Sequence, residues 1–138
     1  MTAGGYLNSP WPGEDAGPAR LQAPHGIAGM NLRPGETLRC VTRNTWMSTM
    51  TVLGAPGEVY LLTHSVLRAR FGLPTTPRVE QIDPVTLKTL RRSPRLPGGP
   101  MWPGGMAIHR NGHLYAEYGR RAHRLGRDHG CRAAGHAT

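Results

Sequence analysis

The sequence predicts an all-β protein built from two copies of one four-stranded antiparallel unit. Three observations predict it: a gapless internal repeat, Gly-centred hairpin turns at the same point of both copies, and short apolar stretches separated by turn residues. Thr51-Val-Leu-Gly-Ala-Pro-Gly-Glu-Val-Tyr60-Leu aligns on Met106-Ala-Ile-His-Arg-Asn-Gly-His-Leu-Tyr115-Ala, so Gly57 falls on Gly112, Val59 on Leu114 and Tyr60 on Tyr115. Asn111-Gly112 suits a tight hairpin turn, because both residues tolerate positive φ, and Pro56-Gly57 does the same with a different turn.

The elements follow in order. Residues 1–34 read as an extended N-terminal arm, since the Gly- and Pro-rich stretch 8–34 shows no periodicity. Residues 36–42, Glu36-Thr-Leu-Arg-Cys-Val-Thr42, read as a leading strand. The first unit spans about 46–97: two strands around the Gly57 turn, a long connection over 63–77, a third strand at Arg78-Val-Glu-Gln-Ile82-Asp83, a turn at Asp83-Pro84, and a fourth strand over 87–96. The second unit spans about 101–127 and onward, its third strand Arg121-Ala-His-Arg-Leu125-Gly126 matching the stretch that begins at Arg78. Residues 128–138 should supply its fourth strand, yet the terminal Thr138 is their one β-branched residue, so they read as a disordered or truncated tail.

With 38% hydrophobic residues, 19 Gly, 13 Pro and Phe71 as the sole Phe in 138 residues, the core must be small or shared. Four short sequential strands per unit is the plan of a β-propeller blade, and each blade buries its apolar faces only against neighbours. Two blades and a leading strand make residues 35–127 a partial propeller that cannot close its ring. The expected partners are therefore protein or additional blades of the same fold, with oligomerisation or aggregation when the chain is alone.

Lys and Arg total 17 against 8 Asp and Glu, a formal charge of +9, and Lys88 is the only lysine. The arginines are dispersed and form no basic stripe on a binding motif, so they read as solvated surface charge and a nucleic-acid partner is not expected. Cys40 and Cys131 form neither a disulfide framework nor a Cys-x-x-Cys pair. No basic stretch followed by an apolar run opens the sequence and no apolar run is long enough to span a bilayer, so a cytoplasmic location without membrane partners is the default.

Trp46 and Trp102 precede the first strand of each unit, where an indole packs between blades or stacks on a ligand near a channel mouth. The connection 63–77, with Arg68, Arg70 and Phe71, is the most binding-like loop, because loops of this length on a rigid β scaffold often carry recognition. Asp128, His129, Cys131 and His136 have metal-ligating side chains, but their spacing matches no standard zinc site. His109 and His113 straddle the Asn111-Gly112 turn and read as exposed turn histidines, with no carboxylate placed to orient either ring. No Gly-x-Ser-x-Gly elbow, phosphate-cradling loop or His-Glu-x-x-His motif is present, so no catalytic residue is assigned.

The run Arg78-Val-Glu-Gln-Ile-Asp-Pro-Val-Thr-Leu-Lys-Thr-Leu and the run from Gly105 to Tyr115 resemble blades of the bacterial propeller superfamily that includes pyrroloquinoline-quinone-like and gluconolactonase-like proteins. Ser9-Pro-Trp11-Pro resembles the lead-in to the first blade of quinoprotein-like propellers. The resemblance covers about residues 46–128 and implies a partial or truncated propeller. Quinone-binding members carry a Trp in the fourth strand of each blade; this chain has none there, and no cofactor is expected. The expected function is a non-catalytic binding or interaction scaffold. The alternatives are a fragment of a propeller enzyme acting on a sugar, lactone or quinone-linked substrate, and a basic nucleic-acid-associated protein.

Overall fold

The computed structural model describes residues 5–16, 23, 32–45, 48–97, 104–118, 121–126 and 133–136. The chain is nearly all β. One antiparallel sheet runs β1 (Ser48–Leu53), β2 (Val59–Thr63), β3 (Arg78–Ile82), β4 (Thr89–Arg92), and the second runs β5 (Gly104–Ile108), β6 (His113–Tyr118), β7 (Arg121–Gly126), β8 (Ala133–His136). Strands pair strictly in sequence order, as short connections dictate. The long β2–β3 connection folds into one short helix, α1 (Val66–Arg70), and the described part of the N-terminal arm holds a 3-10 turn, Glu14–Ala16.

The two sheets pair in similar registers at the positions aligned in the sequence. Val52 lies opposite Tyr60 and Leu53 opposite Val59; at the aligned positions Ala107 lies opposite Tyr115 and Ile108 opposite Leu114. The third strands agree as well, with Val59 opposite Ile82 and Leu114 opposite Leu125. Both hairpins turn through a glycine at positive φ, Gly57 and Gly112, a conformation that would strain any side chain bearing a Cβ.

The two sheets nonetheless bury opposite faces. Alternation along a strand sends successive side chains to opposite sides. In the first sheet Val52, Tyr60, Leu62 and Val79 enter the shared core; in the second sheet the contributors are Met106, Ile108, Leu114, Ala116, Tyr118 and Leu125. Those six sit one step out of phase with the first set: Tyr60 is buried while its counterpart Tyr115 is 37% exposed. The sheets therefore stack front to back, the front of the first on the back of the second.

Close approach at the base of the stack depends on Gly104. A Cβ there would lie 2.6 Å from Leu62 Cδ2 and 2.7 Å from Tyr118 Cδ2, so the backbone of β5 fills space a larger residue would need. After β4 the chain turns back into the interface. Leu96 joins the core, the Leu96 amide donates to the Pro77 carbonyl at 2.9 Å, and the buried Ser93 hydroxyl accepts from the Val79 amide at 3.0 Å.

Three expectations are corrected. Residues 36–42 form no strand: they are exposed throughout, with no apolar side to bury, and the stretch is tethered through Arg43 rather than a ladder. The tail expected to lack structure contributes β8, whose backbone pairs with β7 at Leu125 and His123. An available strand edge there overrides weak intrinsic propensity. The fourth strand of the first unit is shorter than 87–96, because the turn after Asp83 extends to Thr86 and residues beyond Arg92 leave the ladder for the core.

Replacing Leu62 by Ala should cost about 2–5 kcal/mol of unfolding free energy through the cavity left under Tyr118. Gly104→Val should cost about 1–3 kcal/mol through overpacking at the same contact. Urea denaturation followed by tryptophan fluorescence reads both, and an unchanged midpoint for either variant would contradict the interface described.

Candidate functional site

The binding-like loop is a defined structure rather than a loose connection. Ser65 caps α1, its hydroxyl accepting from the Arg68 amide, and the Arg68 guanidinium Nε donates to the Pro74 carbonyl at 2.7 Å, drawing the loop closed across its base. Gly72 adopts a φ of +65° just past the helix, and the Leu73 amide donates to the Arg68 carbonyl at 2.9 Å. Thr75 and Pro77 are buried and anchor the return into β3.

The structure thus brings Arg68, Arg70 and Phe71 together on one turn of chain. Leu67 and Phe71 lie four residues apart, hence on one side of the helix, and both are exposed, as is Leu73. At the loop's root His64 is buried with its ring against Tyr118, centroids 5.4 Å apart. Burial holds the His64 pKa below its ordinary value, because a cation there would lose its hydration.

The other predicted residues do not join this group. Trp46, Trp102, Asp128, His129 and Cys131 lie outside the described residues, and His136 is placed only as part of β8. Among the described residues no three His, Cys, Asp or Glu side chains cluster in a way that would hold a metal ion. His109 and His113 flank Tyr115 on the open face of the second sheet, with ring centroids 6.2 and 6.5 Å from it. Asn111 ties this hairpin together. Its amide donates to His109 Nδ1 at 3.1 Å, and its side-chain nitrogen donates to the Tyr115 hydroxyl at 3.2 Å.

Sequence reading missed a second charged centre. Glu80 is buried on the back of the first sheet, where Arg43, Arg92 and the Thr89 hydroxyl converge on its carboxylate; Arg92 Nε stands 3.1 Å and Thr89 Oγ1 2.9 Å away. Burial raises its pKa, but the Thr89 hydrogen bond and the two arginines outweigh burial and leave it lowered. Arg43 and Glu80 stand 37 positions apart, so no local spacing announces the pair. The repeat does hint at it, since Glu80 aligns with His123, another buried polar residue on the third strand of its sheet. Beside this pair, Arg39, Val41, Pro84, Val85 and Leu87 line a shallow, open groove.

No family model, curated protein or solved structure matches the chain.

Both shifts make the fold acid-sensitive, in separate windows. For His64 the unfolded chain takes up a proton more readily than the folded one, so stability should fall as pH drops below about 6.5. For Glu80 the folded carboxylate resists protonation, so a further loss should begin below about pH 4.3 and continue to the lowered folded value. Asp83 titrates in the same lower window, because the Thr86 and Val85 amides hold its carboxylate ionised. Thermal unfolding against pH should show both steps, with His64→Gln removing the upper step and Glu80→Gln reducing the lower.

Proposed function

We propose that the chain forms two consecutive blades of a propeller-type stack and acts as a non-catalytic binding scaffold in the cytoplasm. Front-to-back stacking supports this reading. Two sheets related by a two-fold axis would meet through the same positions of each, whereas these meet through opposite faces, a heterologous arrangement that leaves one complementary face open at the end of the stack. In a propeller every blade meets its neighbours in this way.

The open face belongs to the second sheet. Ala107, Tyr115, Glu117, Ala122 and Arg124 occupy the positions where the first sheet presents Val52, Tyr60, Leu62, Val79 and Gln81 to its neighbour. The interface tyrosine is retained there, flanked by two histidines and exposed. A buried aromatic is the usual anchor of a protein contact, so Tyr115 is the residue on which a further blade or a partner protein would close.

Sedimentation velocity across a concentration series tests the reading. Reversible self-association is expected, weakened about tenfold or more by Tyr115→Glu, the loss typical of an anchor residue. A strictly monomeric chain with one sharp unfolding transition would refute the open-ended stack.

A further inference from the structure

Nothing in the stack requires the α1 loop to be greasy at its tip, yet Phe71 is 71% exposed, Leu67 53% and Leu73 48%. The loop sits at the end of the sheets opposite the N-terminal arm. The arm bonds to Leu53 and Ile108, the top ends of β1 and β5, whereas α1 joins the bottom of β2 to the bottom of β3. The three apolar side chains are thus exposed at the end of the first sheet away from the arm.

The segment itself is cationic. Residues 59–79 contain no Asp or Glu, and Arg68 and Arg70 stand on the same helical turn as the apolar cluster. The loop is braced from within by the Ser65 cap and the Arg68–Pro74 bond, and the groove beside Val41 and Leu87 lies elsewhere. An exposed apolar cluster flanked by two arginines calls for a partner that takes both charge and apolar surface. A phosphodiester backbone would use the arginines and gain nothing from two leucines. A flat surface that is anionic outside and oily beneath uses every one of these groups.

We propose that the α1 loop is a peripheral membrane-docking tip for anionic lipid, with Leu67, Phe71 and Leu73 entering the headgroup boundary and Arg68 and Arg70 pairing with acidic headgroups. No helix among the described residues is long and apolar enough to cross a membrane, and the contact proposed lies on the surface. The proposal names a partner for the binding scaffold read above, but it uses a different part of the molecule from Tyr115.

Co-sedimentation of the full chain with vesicles of phosphatidylcholine alone, or with about one-third phosphatidylserine, tests it. Binding to the anionic vesicles should exceed binding to neutral ones by roughly 30-fold, from two arginines near the surface, and should fall with added salt. Leu67→Ser/Phe71→Ser should lose about tenfold at unchanged net charge, and Arg70→Glu should lose at least as much, while self-association stays as in the parent chain. Equal binding to neutral vesicles, parental binding by the double variant, or no vesicle binding would each overturn the proposal. So would retention on a polyglutamate peptide in preference to vesicles, which would assign the loop to an acidic protein.

Discussion

A four-stranded sheet of four- to six-residue strands cannot bury its own apolar face, and this structure is organised around that constraint. The front of the first sheet and the back of the second exclude water from each other, and the largest fully buried side chains, Tyr118, Leu62, Leu96, Ile108, Leu114 and Leu125, all lie between them. Polar groups at its rim are bonded into place. Ser93 Oγ donates to the Pro94 carbonyl at 2.8 Å while accepting from Val79, and His123 Nε2 stands 3.1 Å from the Pro97 carbonyl. The segment after β4 therefore both completes the core and bonds the Val79 amide and the His123 ring at its rim.

The N-terminal arm addresses a second problem, the open edges of β1 and β5. The Leu53 amide donates to the Trp11 carbonyl and the Ile108 amide to the Pro12 carbonyl, both at 2.7 Å, so consecutive arm residues fasten one strand of each sheet. Ser9 Oγ donates to the Leu53 carbonyl, and residues Gly5 to Leu7 bond along the edge at Ile108 and Arg110. Ser9-Pro-Trp11-Pro thereby holds a structural place: its prolines fix φ and withhold two donors, while its own Trp11 and Pro12 carbonyls meet the edge amides.

Much of this architecture was legible in the residues. The Gly57 and Gly112 turns and the paired tyrosines set the hairpin registers, and the long gap before Arg78 located the α1 loop. The phase of burial was harder to read, because a repeat of period two looks the same whichever face is covered. It was written in the differences between copies, Leu62 against Glu117 and Val79 against Ala122, which only acquire meaning once one sheet is seen to lie on the other. Strand β8 escaped because its residues have little β propensity and its pairing is dictated by the free edge of β7. The Arg43–Glu80 pair escaped because it is a tertiary contact with no spacing rule.

The two ends of the stack are finished differently, and the difference follows from what each has to face. The back of the first sheet keeps Leu61 and Ile82 buried, with Glu80 neutralised there by arginine from a segment outside the sheet. Where the first sheet presents Leu62 and Val79, the second presents Glu117 and Ala122, which are exposed. That face therefore offers less apolar area than the interface inside the chain. Retaining Tyr115 while its neighbours became polar concentrates what remains in one amphipathic side chain, which can stand in water by its hydroxyl and still anchor a packed face.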